Sequence, residues 1–107
     1  MYGKIEIDGR QLELAANAAT PFRYKQVFHQ DLFAILGNEE KAEAQGVEAV
    51  SRLTFIMSKQ AEKADMNKLT ENEFMEWLED FGPMAFIEHA EDIMNVYMGS
   101  TVSTATP

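Results

Sequence analysis

The sequence predicts a mainly α fold of three to four helices with a short N-terminal β-hairpin. Three observations carry this. Lys4–Ile7 and Gln11–Leu14 alternate apolar and polar residues with period two, on either side of Asp8-Gly9. From Pro21 onward, apolar residues recur at three- and four-residue spacing, the period of a helix face. Strong chain breakers, Gly37, Gly82-Pro83 and Gly99, punctuate those helical runs.

Asp-Gly is a favoured two-residue hairpin turn. With Asp8-Gly9 as the loop, Ile7 faces Arg10 and Ile5 faces Leu12. Ile5, Ile7, Leu12 and Leu14 then share one face, and a one-residue slip would send Leu12 and Leu14 to the other side. A lone hairpin is marginal in water, so it must lie on the helices or gain strands from another copy.

The segment Leu14–Lys25 joins hairpin to helix. Thr20 is placed to cap the first helix by accepting a hydrogen bond from a first-turn amide. Pro21 suits the first helical position, where its missing N–H costs nothing. The helix is predicted from Pro21 to about Leu36, with Tyr24, Val27, Phe28, Leu32 and Ile35 in one stripe. Phe22, Phe33 and Leu36 widen that stripe and predict burial on more than one side. Gly37 is placed to end the helix in the left-handed conformation.

Asn38 is the predicted cap of a long second helix, about Glu39 to Ala64. Its acidic start suits the helix dipole. Gly46 weakens it locally by about 1 kcal/mol relative to Ala. Val47, Val50, Leu53, Phe55, Ile56, Met57 and Ala61 form its apolar face. The third helix starts with a capping box, Thr70-Glu71-Asn72-Glu73, flanked by a Leu69–Phe74 staple. Phe74, Trp77, Leu78 and Phe81 are its stripe. A fourth helix, about Met84 to Met98, puts Phe86, Ile87, Ala90, Ile93, Met94 and Tyr97 inward and stops at Gly99. Residues 1–99 thus read as one domain, and 100–107, small, polar and aperiodic, as a flexible tail.

Charge is unevenly placed. Lys4, Arg10, Arg23 and Lys25 balance Glu6, Asp8, Glu13 and Asp31, so the chain through Leu36 is neutral and the remainder carries the whole net charge of −9. No Lys or Arg follows Lys68. Such a surface repels nucleic acid and anionic membranes, and suits a basic protein partner or simply solubility. No apolar run approaches the ~20 residues of a membrane span, and the N-terminus lacks the continuous apolar stretch of a signal peptide. With no cysteine, disulfides and thiol chemistry are excluded.

The sequence points away from catalysis and cofactors. The run Glu88-His89-Ala90-Glu91-Asp92 puts Glu88 and Asp92 on one helix face but turns His89 about 100° away from Glu88, short of the three or four convergent ligands of a zinc site. His29 has no ligand set around it. Asp65-Met66-Asn67-Lys68 opens like a calcium loop, but Thr70 stands where the loop needs glycine. The carboxylates of Glu71, Glu73, Glu76, Glu79 and Asp80 read as the solvated face of an amphipathic helix. No phosphate-cradling glycine loop or nucleophile–base order is present. The seven methionines are the remaining feature. Met57 and Met94 fit core filling, whereas Met75 lies off the Phe74–Trp77–Phe81 stripe and fits exposure or partner contact.

The hairpin, the junction Asn17, Thr20, Pro21, Phe22, Arg23 and Tyr24, and the Phe- and Leu-rich helix after it resemble the tail assembly chaperones of long-tailed bacteriophages of Gram-positive hosts. The resemblance is strongest over 4–37 and compatible over the acidic helical remainder. It implies a non-enzymatic phage or prophage protein of the bacterial host cytoplasm. Its partner would be the tape-measure protein, with the tail-tube protein as a second candidate. It also implies that a frameshift near the end of the frame can append a further domain. Arg23, Tyr24 and Lys25 become candidate partner contacts, with Met75, Glu76, Glu79 and Asp80 as a second set. The competing reading is an acidic adaptor or inhibitor that occupies a basic, nucleic-acid-binding protein surface. Acid spread over one face would favour the adaptor, and acid interleaved around an apolar groove the chaperone. The hairpin edge leaves self-pairing open.

Overall fold

In a computed structural model of the chain, which describes residues 2–99, Asp8 and Gly9 both take positive φ, +53° and +80°. Two successive left-handed residues are what a two-residue hairpin turn matched to strand twist requires. The strands β1 (Tyr2–Ile7) and β2 (Arg10–Ala15) pair antiparallel with Ile7 opposite Arg10 and Ile5 opposite Leu12, the predicted register. Ile5, Ile7 and Leu14 are buried, and Leu12 packs against the same core. Gly3 lets β1 approach the last helix closely, because a Cβ there would lie 2.8 Å from Val96 Cγ2.

Six α-helices follow among the described residues, more than the three to four predicted: α1 (Thr20–Phe28), α2 (Leu32–Leu36), α3 (Glu39–Ala61), α4 (Glu71–Leu78), α5 (Ala85–Glu88) and α6 (Ala90–Met98). The count rises because two predicted helices are each divided. The first stops at His29, which turns left-handed at φ +59° and donates its N–H to Lys25 O at 2.8 Å. Asp31 then caps α2, accepting from the Phe33 amide at 2.9 Å. That local cap competes with continuing the helix. Leu32 and Ile35 stay in the core, but Phe22 and Phe33 are 71% and 59% exposed, against the predicted burial of both, because each lies across its helix from the buried residues. The fourth predicted helix bends at His89 (φ −110°, ψ 11°) into α5 and α6, with no side-chain cap at the joint.

The end signals are also partly revised. Thr20 does not cap α1. It is the first helical residue, fully buried, and its Oγ accepts from the Asn17 amide at 2.9 Å and from Gln60 Nε2 at 3.0 Å. Asn17 instead makes the local turn, accepting from the Ala19 amide at 2.8 Å. Gly37 stays right-handed at φ −84° and closes the last turn onto Phe33 O at 2.8 Å. Asn38 caps α3 through the Lys41 amide as predicted, Thr70 caps α4 through the Glu73 amide, and Gly99 is left-handed at φ +69°. The second helix ends at Ala61 rather than Ala64. The rejected calcium-like stretch is a 3-10 turn, Met66–Lys68, held by Asp65.

The buried half of α3, Ala49–Ser58, is the centre of the core. Two of its polar groups are satisfied within the helix: the Ser51 and Thr54 hydroxyls donate to Glu48 O and Val50 O, each at 2.7 Å. Around α3 runs a connected set of rings. Tyr24 meets Phe28, Phe28 meets Phe55 and Phe74, and Trp77 links both to Phe81 and Phe86. Centroid spacings of 4.9 to 6.4 Å and mostly tilted planes are those of favourable aromatic contacts. No described helix is long and apolar enough to cross a membrane.

Candidate protein-binding groove

Part of the aromatic set reaches the surface between α3 and the corner after α4. Ala44, Val47, Glu48 and Ser51 lie at i, i+3, i+4 and i+7 on α3, so they form one helical face. Opposite them stand Leu78 at the end of α4, Phe81, Gly82 and Pro83 in the corner that follows, and Phe86 of α5. The gap between the two walls is about 490 Å³. Gly82-Pro83 makes it, because the corner carries the chain away before α5 returns to the core. Phe81 and Phe86 form its floor, 5.3 Å apart edge to face. Val47 is 47% exposed on one rim, and Met84 and Ile87, beside the corner, are half exposed.

The hairpin tip fixes the corner. Asp8 accepts from the Gly82 amide at 2.6 Å, Arg10 pairs with Asp80 at 3.4 Å, and the Arg10 guanidinium lies 5.7 Å from the Phe81 ring centre. On the other wall, Arg52 pairs with Glu48 at 2.9 Å, donates to Gln30 at 2.8 Å, and covers the Phe28 ring at 5.1 Å. Both cations are thus committed within the molecule. The carboxylates on the same elements, Glu40, Glu43, Glu76, Glu79 and Glu88, are exposed.

The predicted partner residues fall in three places. Arg23 and Lys25 lie on α1, which contributes nothing to the groove, with Arg23 half-buried and Lys25 exposed. Tyr24 is a correction: it is fully buried between α1 and the ring cluster, so it is a core residue. Its helical position, one turn from Phe28, turns it inward while its neighbours face out. Burial also pushes its phenol pKa up. Met75 is 58% exposed, one helical turn before Leu78, and Glu76 and Glu79 are exposed beside it. Asp80 is engaged by Arg10. None of the seven lines the groove itself. The residues that do, Val47, Leu78, Phe81, Pro83 and Phe86, were read in the sequence as stripe or breaker residues. The usable signal was a Gly-Pro corner between two aromatic-rich segments.

Among the described residues no three His, Asp or Glu side chains converge as a metal site would require. At the junction, Pro21 occupies the first turn of α1 and the Arg23 amide donates to Ala19 O at 2.9 Å. No family model, curated protein or solved structure matches the chain.

Proposed function

We propose that this protein is a non-enzymatic phage tail assembly chaperone, working in the bacterial host cytoplasm. It would bind the tape-measure protein and keep it soluble until the tail tube polymerises around it. The observation that carries the reading is the open aromatic groove between α3 and the α4–α5 corner, set among exposed carboxylates. An amphipathic helix laid there would bury its apolar stripe on Phe81, Pro83 and Phe86 and meet acid along its polar flanks. A long, helical, aggregation-prone client offers many such stripes. The net charge of −9 would keep the coated client dispersed.

The tail-tube protein is a second candidate partner, recognised by the same chemistry. An acidic adaptor that mimics nucleic acid on a basic surface needs charge but no apolar floor, so the groove favours the chaperone. Co-expression with a tape-measure protein from the same phage or prophage tests the reading. The expected result is a soluble tape measure that co-purifies with this chain. A tape measure that stays insoluble with both this chain and any frameshifted longer product contradicts it.

A further inference from the structure

The hairpin has two edges, and they differ. Ile7 and Arg10 close the two-residue turn, so they form the first hydrogen-bonded pair, and the pattern alternates from there. The N–H and C=O groups of Ile7, Ile5 and Gly3 therefore point to β2, while those of Tyr2, Lys4 and Glu6 point outward from β1. The same phase turns the Ala15 carbonyl outward from β2, and Gln60 Nε2 of α3 meets it there at 2.7 Å. The Ala15 end of the β2 edge is thus bonded to α3, and Ser58, Ala61 and Glu62 of that helix flank Gln11, Leu12 and Glu13 across a groove of about 240 Å³. The β1 edge borders a larger groove, about 380 Å³, bounded by residues 2–6 and by His89, Asp92, Asn95 and Val96.

We propose that β1 is a self-association edge: two copies pair antiparallel through it, with Lys4 of each copy opposite Glu6 of the other and a twofold axis at Ile5. Outward-facing groups meet only when even-numbered residues face even-numbered residues. The central registers of that kind set Lys4 against Lys4, Glu6 against Glu6, or Lys4 against Glu6. The first two juxtapose like charges, which is destabilising across a strand pair. The third makes two opposite-charge pairs and, like any antiparallel pairing of identical strands, obeys the twofold. Pairing joins the two hairpins, each already packed on its own helices, into one four-stranded sheet.

Sedimentation velocity of the full chain over a concentration series tests this, with circular dichroism to verify folding. The wild type is expected to form a reversible dimer. Lys4→Glu and Glu6→Lys should each weaken it about tenfold or more. An equimolar mixture of the two variants should regain wild-type affinity, because the mixed pair again sets acid opposite base at both positions. A wild type that is monomeric throughout overturns the proposal. So does a dimer indifferent to both reversals, or two variants that do not recover when mixed.

Discussion

Asp8, at the tip of the hairpin turn, accepts a hydrogen bond from the backbone amide of Gly82 at 2.6 Å, across 74 positions of sequence. The turn is therefore also the clasp of the α4–α5 corner. A Cβ at Gly82 would lie 3.2 Å from the same carboxylate oxygen, so the approach uses the absence of a side chain. With Arg10 on Asp80 and Phe81, the hairpin tip holds one wall of the groove.

Asp8→Gly should test the clasp, since glycine keeps the left-handed conformation of Asp8, its relief of that strain being set against its greater unfolded-chain entropy. The expected loss is about 1 kcal/mol, the net size of an ordinary hydrogen bond. Asp8→Ala should cost about 1 kcal/mol more, because alanine pays the left-handed penalty as well. Chemical denaturation reads the totals. Faster exchange of the Gly82 amide in Asp8→Gly would localise the effect to the corner.

Gln60 and Thr20 tie hairpin, α1 and α3 together. Gln60 Nε2 donates to Ala15 O and to Thr20 Oγ, which also accepts from the Asn17 amide. Thr20→Val keeps the shape but removes the acceptor from two donors in a buried place. A loss of about 1–3 kcal/mol is expected. Thr20→Ser keeps the hydroxyl and should lose less, so the two variants separate hydrogen bonding from packing in a urea titration.

Tyr24 sets an alkaline limit on stability. Burial favours its neutral form and raises its pKa above the ordinary 10.0, with the Arg52 guanidinium opposing in part. The folded chain therefore holds this proton to higher pH than the unfolded chain does. Stability is unaffected by the group below about pH 10 and falls as pH rises from there to the folded value. Tyr24→Phe removes that titration. Denaturation midpoints measured at increasing pH should drop less steeply above pH 10 in the variant than in the wild type.

Val47→Lys should separate binding from folding. Val47 is half exposed on the groove rim, so stability should change by no more than about 0.5 kcal/mol. Affinity for an amphipathic helix with a basic polar face should fall tenfold or more, because a second cation replaces apolar contact. Lys25→Glu on α1, away from the groove, should leave that affinity unchanged. Calorimetric titration of both variants with one peptide checks the contrast.

The legible parts of this fold are those written locally. Asp8-Gly9 and the alternation around it fixed the register, and Asn38, Thr70 and Gly99 announced helix ends through their own side chains or their lack of one. The breaks at His29 and His89 were not legible, because neither has a Gly or Pro beside it. His29 takes a left-handed conformation that histidine tolerates better than most residues. Phe22 and Phe33 are expected to be buried because of their bulk, although helical spacing sets both across the helix from the Tyr24–Val27–Phe28 stripe, where they are exposed. Thr20 looked like a cap because its type and place fit one, but Gln60, forty positions on, claims its hydroxyl. The groove was the least legible feature. Its walls come from α3 and from the Leu78–Phe86 corner, and no local pattern says that two such segments stand apart. Asp8 and Arg10 read as turn and strand residues, with nothing in their spacing to name Gly82 and Asp80 as partners.

The most direct measurement is a backbone-amide NMR titration of the full chain with a synthetic amphipathic helix, leucine on one face and lysine on the other. The groove account predicts saturable shifts at Val47, Glu48, Leu78, Phe81, Gly82 and Phe86, and much weaker binding of the same helix with glutamate in place of lysine. Saturable shifts centred on Phe22 and Phe33 instead, or no saturable shift at all, would contradict it.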